Sequence, residues 1–377
     1  MIGSGATLGV VGGGQLGRMF TLRARGMGYR VAVLEPDPLS PAGAAADRHI
    51  VAAYDDPAAL AELGASCEAI TTEFENVSAE ALTRLAASCP VRPDGRSVAI
   101  VQDRITEKRH LADAGFRTAP YRAVTTEREL AGAVDFVGMP ALLKTARLGY
   151  DGKGQARLTR PQEARAAWDS LGRVPCVLER RLSLELELSV VLARGTDGKI
   201  AAFPAGENVH RNGILETTVV PARISPALAG KARDLASAVA ASLDYVGVMG
   251  VELFLADGGQ LFVNEIAPRP HNSGHYTIDA CPVDQFEQQV RALCELPLGK
   301  PELLSPVAMV NLLGDLWAGG TPNWEKALTF PGVRLHLYGK AEPRPGRKMG
   351  HINCLAATPE QALETALAAR DALTSRR

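Results

Sequence analysis

Residues 248–268 read VMGVELFLADGGQLFVNEIAP. Two apolar runs flank a Gly258-Gly259 pair, the signal of a β-hairpin with a two-residue turn. That turn sets a register in which Asp257 faces Gln260, Phe254 faces Val263 and Glu252 faces Glu265. Carboxylates directly opposite on antiparallel strands bring their Cβ atoms to about 5 Å and repel unless something compensates. Val251, Leu253, Val263 and Ile266 surround the pair, so partial burial is expected. A divalent cation between the two removes the conflict. Mg²⁺ suits the pair, because it takes one or two carboxylates and completes its shell with water and nucleotide phosphate. Asn264 is placed to add an oxygen or to orient a phosphate. The plain alternative is that one glutamate meets an arginine and the other solvent.

The segments around this hairpin carry further polar groups. Residues 267–275, APRPHNSGH, hold Arg269, His271, Asn272 and His275 in a loop stiffened by proline, which suits preorganised contact with an anion. Residues 140–155, PALLKTARLGYDGKGQ, run from an apolar strand through Lys144 into Gly149, Gly152 and Gly154, which flank Tyr150, Asp151 and Lys153. This composition fits a surface turn, and equally a flap whose backbone N–H groups close over phosphate. Residues 177–187, VLERRLSLELE, place Glu179 and Glu187 at the ends of a strand–turn segment. Carboxylates there can bind an adenosine amine or ribose hydroxyls, or stand solvated.

Strand-like runs TLGVV, RVAVLE, HIVAA and AITTEF alternate with helical stretches over the first hundred or so residues, a pattern that predicts a parallel sheet covered by helices. The turn GGGQLG at 12–17 follows the first strand, and Glu35 ends the second. This is the dinucleotide fingerprint, though a glycine turn opening a phosphate-binding helix reads the same way. Nothing downstream supplies a dehydrogenase site. PALLKTA and ARLTR predict a hairpin around the glycine segment, and residues 176–224 predict antiparallel strands, since their connections are too short for helical crossovers. Helices are predicted over 226–243 and 283–296, followed by a less regular C-terminal part.

A chain of 377 residues has room for two or three domains, and its net charge of -1 gives no reason to expect a nucleic-acid or membrane partner. The basic stretch EPRPGRK at 342–348, with Arg344, Arg347 and Lys348, reads as a solvated loop or as the seat of a small anion. Six scattered cysteines, with no C-x-x-C pair, argue against a zinc site and a disulfide framework. No signal peptide and no apolar run of about 18 residues is read, so a cytoplasmic location is expected.

In chain order, GGGQLGRM, TTEFENV, QDRITEKRHL, LLKTARLGYDGKGQ, VELF…LFVNEIAPRPHNSGHYT and GRKMGHIN span residues 12–353. On these motifs the sequence resembles the ATP-grasp enzymes, and within them the 5-(carboxyamino)imidazole ribonucleotide synthases of purine biosynthesis. FENV, GYDGKGQ and APRPHNSGHYT are the more specific motifs. The resemblance implies an α/β and α+β architecture. Its parts are a parallel-sheet pre-ATP-grasp domain over 1–103, a small lid over 104–178, and a larger antiparallel central lobe with a C-terminal extension over 179–377. It implies ATP and Mg²⁺ as cofactors, aminoimidazole ribonucleotide and bicarbonate as substrates, carboxyphosphate as intermediate, and a homodimer.

Residue by residue, the resemblance places Lys144 on the nucleotide phosphates beneath a flap of Gly149, Tyr150, Asp151, Gly152, Lys153, Gly154 and Gln155. Arg104, His210 and Asn264 approach ATP. Glu179 and Leu182 bracket adenine, Glu187 binds ribose, and Glu252 and Glu265 hold magnesium. Arg269, His271 and Asn272 receive bicarbonate, and Asp151 accepts the amine proton. Gly14, Gln15, Leu16, Glu73, Tyr150, Arg347 and Lys348 hold the ribonucleotide. Many relatives are expected to carry arginine at Lys153, and lysine lacks the bidentate fork. A biotin carboxylase or a formate-dependent glycinamide ribonucleotide enzyme would keep the hairpin but lose FENV and KMGH. A nucleotide-binding regulator without activity would have lost Glu252, Glu265 or Lys144.

Overall fold

The computed structural model describes residues 1–149 and 152–374, so Tyr150 and Asp151 lie outside the described residues. Four strands form the first sheet: β1 (Thr7–Val11), β2 (Arg30–Leu34), β3 (Arg48–Ile50) and β4 (Ala69–Thr72), in the order β3-β2-β1-β4 with every pair parallel. Leu8, Val10, Val31 and Val33 pack against Phe20 and Ala24 of the helix Gln15–Gly26. On the other face, Val11, Ala32 and Leu34 meet Leu60, Leu63 and Leu82 from the helices Pro57–Ser66 and Ala79–Leu85. Burial on both faces explains the continuous apolar runs of these strands. β2 and β4 flank β1, so the loops after β1 and β4 open a crevice at a switch in strand order.

The second sheet holds β5 (Tyr121–Val124), β6 (Ala141–Thr145), β7 (Gln155–Leu158) and β8 (Cys176–Arg180), antiparallel in the order β5-β8-β6-β7. Leu130, Val134 and Trp168 of two helices cover Leu143, Leu158 and Leu178 on one face. β6 and β7 pair around the glycine segment, with Lys144 opposite Gln155. The sheet runs on to Arg180, two residues beyond the expected lid boundary at 178. The helix Arg104–Asp113, which opens the expected lid segment, packs Leu111 among Leu188, Val190 and Met249 of the third sheet.

That third sheet is antiparallel throughout. It comprises β9 (Leu184–Arg194), β10 (Ile200–Ala202), β11 (Gly206–Arg211), β12 (Ile214–Val220), β13 (Gly247–Ala256), β14 (Gln260–Ala267), β15 (Val307–Leu313), β16 (Val333–Leu337) and β17 (Lys348–Leu355). Its path is β14-β13-β9-β11-β12-β15-β17-β16, with β10 on the far side of β9. Ala232, Ala236 and Val239 of the helix Pro226–Ser242 pack on one part, and Ala362, Ala366 and Ala369 of Pro359–Ala372 on another. The C-terminal part is therefore built of regular strands and a helix, a correction to its reading as less regular. β15 and β17 are buried on both sides, so they show none of the alternation that marks a strand in sequence. The helix Gln285–Leu293 joins the lobes: Phe286, Val290 and Leu293 enter the core of the first sheet, and Gln289 donates to Thr71 Oγ1 at 2.6 Å.

The hairpin departs from its predicted register. Ala256 pairs with Gln260 and Phe254 with Phe262, not Asp257 with Gln260 or Phe254 with Val263. The turn has three residues, Asp257, Gly258 and Gly259, all left-handed at φ 52°, 76° and 88°. A bulge past Leu253 and Val263 then adds one residue to β14 and restores Glu252 opposite Glu265.

His275 and His351 are fully buried with ring centroids 4.9 Å apart, and Nε2 of each has no hydrogen-bond partner among the described residues. Burial holds both imidazoles well below their ordinary value, so the folded chain keeps them neutral where the unfolded chain takes up protons. Each therefore contributes stability that is complete above about pH 6.5 and falls by roughly 1.4 kcal/mol per pH unit below it. A His351→Gln chain is expected to be the less stable at pH 7 and to gain on the parent as the pH is lowered to 5. Urea unfolding of both at several pH values checks this; parallel profiles would show that His351 is not held neutral.

Candidate active site

The bulged hairpin places two acids in different electrostatic settings. Arg104 Nη1 lies 2.7 Å from Glu265 Oε2. Burial pushes the Glu265 carboxyl up, but Arg104 outweighs it and holds the group at about 2. Glu252 is raised by burial and by the neighbouring Glu265. Its carboxylate meets Asn264 Nδ2 at 3.3 Å and His271 Nε2 at 3.5 Å. Among the described residues, no cluster of three or more His, Cys, Asp or Glu is arranged to hold a metal ion. Two opposed carboxylates, one raising the other, with an amide beside them, fit a small divalent cation that draws the rest of its shell from water and phosphate.

The helix Arg104–Asp113, capped by the Asp103 side chain, presses one charged face onto β14. Glu107 Oε1 accepts the Ile266 N–H at 2.7 Å, and Lys108 Nζ donates to the Asn264 carbonyl at 2.8 Å. These two bonds bracket Glu265 on both sides. Burial pushes Glu107 up to about 7. Lys144 Nζ donates to Glu179 Oε2 at 2.8 Å, while Lys108 Nζ stands 3.3 Å from Glu179 Oε1. Oε1 has no hydrogen bond of good geometry, so Lys108 holds it through charge. Burial pushes Glu179 up, but Lys108, Lys144 and Arg104 together hold it at about 2.

Across the same sheet, Glu187 on β9 bonds His210 Nδ1 on β11. Burial lowers the His210 imidazole, but Glu187 and Glu252 outweigh it and leave the group raised. The loop after β14 is equally engaged. Arg269 pairs with Glu75, from the FENV segment. His271 Nδ1 lies 2.8 Å from Ser273 Oγ, and burial holds the ring down to about 3. A Cβ at position 250 would stand 2.7 Å from His271 Cβ, so Gly250 makes room for this ring. Asn272 exchanges two amide bonds with Asn311, at 2.7 and 3.1 Å, which tie this loop to β15. His275 lies in the core behind, with Nδ1 3.0 Å from Gln285 Nε2.

Glu73 Oε1 and Oε2 accept the N–H groups of Gly14 and Gly17 at 2.8 and 3.0 Å, and Glu35 accepts that of Gly13 at 2.7 Å. The turn's donors are therefore bound by carboxylates of the chain itself, which disfavours a pyrophosphate there. Gln15 is half-buried at its rim and Leu16 is buried.

A narrow cleft lies between the lobes, lined by Arg104, Gly149, Glu265, Arg269 and Glu75 among others. Arg104 Nη2 also reaches the Gly149 carbonyl at 3.4 Å. Gly152 is left-handed at φ 77°, and a Cβ on it would stand 3.0 Å from the Asn212 carbonyl, so Gly152 itself rests on the β11–β12 turn. Gly154 passes its carbonyl to Thr145 N at 2.8 Å, and Gln155 begins β7. Leu182 is half-buried in the link from β8 to β9. Lys348 opens β17, and its charge acts on His271 and His210. Arg347 precedes it, donating to the Glu342 carbonyl at 2.9 Å. The roles of Tyr150 and Asp151 fall outside the described residues.

Glu75, Glu107, Lys108 and Asn311 escaped the sequence reading. The i, i+3, i+4, i+7 spacing of Arg104, Glu107, Lys108 and Leu111 was the available signal, one helix face carrying three charges beside a leucine. Glu75 stood within the FENV motif without being singled out, and nothing local marks Asn311.

Three family models cover most of the chain: a ribonucleotide synthetase preATP-grasp domain over 5–102, an ATP-grasp domain over 109–286 and a phosphoribosylaminoimidazole carboxylase C-terminal domain over 307–365. The N5-carboxyaminoimidazole ribonucleotide synthase of Brucella melitensis is 47% identical over 353 residues, covering 92% of this chain and 96% of that protein. A crystal structure of an N5-carboxyaminoimidazole ribonucleotide synthetase with ADP superposes with a TM-score of 0.93 at 42% identity, covering 100% of this chain and 99% of that one. The synthase from Aspergillus clavatus, in complex with ADP and 5-aminoimidazole ribonucleotide, gives 0.90 at 33% identity, over 98% of this chain and 99% of that one.

With the turn's amides already bound, NAD is expected to leave the thermal midpoint unchanged. Mg-ATP at a hundred times its Kd is expected to stabilise the fold by about 2.7 kcal/mol. A midpoint that rises with NAD and not with Mg-ATP would restore the dinucleotide reading.

Proposed function

The chain belongs to the N5-carboxyaminoimidazole ribonucleotide synthase family of ATP-grasp ligases, and from that membership we propose that it carboxylates 5-aminoimidazole ribonucleotide with bicarbonate while converting ATP to ADP and phosphate. The observation that carries the reading in this chain is the Glu252–Glu265 opposition, restored by a bulge and set against the buried Lys144–Glu179 pair.

Bicarbonate is a poor electrophile with a poor leaving group. One of its oxygens attacks the γ-phosphorus of ATP, the bond to the bridging oxygen breaks, and ADP departs. The carboxyphosphate so formed loses phosphate to give CO2 within the closed site. The amine nitrogen attacks that carbon, its proton passes to a base, and the carbamate results.

Phosphoryl transfer needs positioning and charge more than covalent help. Mg²⁺, held by Glu252 and Glu265, would supply charge neutralisation on the transferring phosphate. Lys144 turns to the same phosphates, and Gly149, Gly152, Lys153, Gly154 and Gln155 close above them. Arg104, His210 and Asn264 border the nucleotide, Glu179 and Leu182 the adenine, and Glu187 the ribose. Arg269 and His271 receive bicarbonate. The neutral His271 ring offers a hydrogen bond without a second charge, and Asn272 supports their loop. The crevice of Gly14, Gln15, Leu16 and Glu73 takes the ribonucleotide, with Tyr150, and Arg347 and Lys348 meet its phosphate. Asp151 is assigned as the base. A cytoplasmic location is supported by six cysteines that are all free. A homodimer rests on family likeness, and no described helix is long and apolar enough to cross a membrane.

Release of ADP, followed with aminoimidazole ribonucleotide and bicarbonate omitted in turn, tests the assignment: full turnover is expected only with both. ADP release indifferent to the ribonucleotide would overturn it. Glu265→Gln is expected to keep the fold and lose tenfold or more in ATP turnover, equivalent to about 1.4 kcal/mol of barrier. Parental turnover across a magnesium titration would remove Glu265 from the metal site. Gly152→Val is expected to obstruct closure against the Asn212 carbonyl. Because water reaching carboxyphosphate hydrolyses it, the ratio of ADP to carboxylated product should rise, or both should vanish. An unchanged ratio at parental rate would make the segment an ordinary turn.

A further inference from the structure

Lys108 lies where the helix Arg104–Asp113 meets the lid sheet and the β13–β14 hairpin, and the chemistry above gives it no task. Its side chain is 1% exposed, buried as deeply as its neighbour Glu107. Nζ is fixed by the Asn264 carbonyl at 2.8 Å and faces Glu179 Oε1 at 3.3 Å. Glu179, itself 2% exposed, sits near the end of β8 and shares its second oxygen with Lys144 at 2.8 Å. Two lysines thus compensate one buried carboxylate. They differ in freedom: Lys108 is tied to a backbone carbonyl on β14, whereas Lys144 stands on β6 one residue before the segment that leads into the flap.

We propose that Lys108 is a positioning residue for the nucleotide: it remains on Glu179 as the resident counter-charge, so that Lys144 can turn from Glu179 to phosphate without stranding a buried carboxylate. This rests on the nucleotide reading of the site. An unpaired buried carboxylate is strongly unfavourable, so a Lys144 that was the sole partner of Glu179 would resist release to the ligand. The low Glu179 value fits joint compensation, since Lys108 and Lys144 oppose its burial together. Arg104 adds to the field but is bound to Glu265, which leaves Lys108 as the direct second partner. The same lysine, through Asn264, carries the state of the lid end of β8 to the bulge beside Glu265.

The test is calorimetric titration of a non-hydrolysable ATP analogue with magnesium into the parent, Lys108→Met, Glu179→Gln and the double variant. Lys108→Met is expected to bind about tenfold more weakly than the parent (about 1.4 kcal/mol). In the Glu179→Gln background, where no buried acid remains, the same change should cost less than twofold. Binding by Lys108→Met at parental strength overturns the inference, as does an equal loss in both backgrounds, which would make the lysine a general support of the hairpin. Should Lys108→Met fail to fold, folding of the double variant supports the compensation and failure of both overturns it. A parent that does not bind the analogue sinks the nucleotide reading and this inference together, an outcome distinct from the others.

Discussion

Repulsion between two carboxylates is the constraint around which the catalytic lobe is organised. Glu252 and Glu265 face each other on adjacent strands, and the hairpin turn by itself would not put them there. A three-residue turn shifts the register by one, and one extra residue in β14 shifts it back. The bulge costs the strand a regular pair and frees the Asn264 carbonyl for Lys108. Local pairing has been given up to hold two acids opposite each other.

The neighbouring charges extend this logic. Arg104 meets Glu265, and three residues on, Glu107 takes the next backbone N–H of the same strand. Lys108 and Lys144 then share Glu179 at the lid's edge. Glu107 and Glu179 are buried, Glu252 and Glu265 only partly so, and each of the four is either paired with a cation or raised in pKa. Glu265 and Glu179 are held low, Glu107 and Glu252 high. Such a spread is what a low-dielectric site with too few cations for its acids produces. An incoming cation and a polyanionic nucleotide would redistribute these pairings.

Much of the fold was legible because its elements obey simple periodicities. The parallel strands of the first sheet read as apolar runs between helices, and the β6–β7 hairpin announced its glycine segment. The hairpin at 248–268 was recognised, and the Glu252–Glu265 pair with it, although the register at the turn was misjudged. Asp257 accounts for that error: its left-handed backbone makes it part of the turn, and aspartate tolerates this conformation without advertising it in sequence. The bulge was invisible for a similar reason, since a single added residue leaves no compositional trace. β15 and β17 were missed because strands buried on both sides lose their alternation. Lys108 and Glu107 went unremarked because charged residues on a helix are ordinarily solvated, and only tertiary packing reveals these as buried.

The glycine fingerprint at 12–17 shows the limit of a motif read without its surroundings. Strand, turn, helix and the acid after β2 all occur where a dinucleotide site has them. What differs is the occupant of the helix start. Glu73, from the end of β4, places its carboxylate on the amides of Gly14 and Gly17, and burial pushes its pKa up against those two bonds. A helix N-terminus attracts negative charge from any source, and here the chain supplies its own. The turn's glycines permit that close approach, since a Cβ on Gly14 would stand 2.8 Å from Glu73 Oε1. With its positive end neutralised by Glu73, this helix start no longer selects a pyrophosphate.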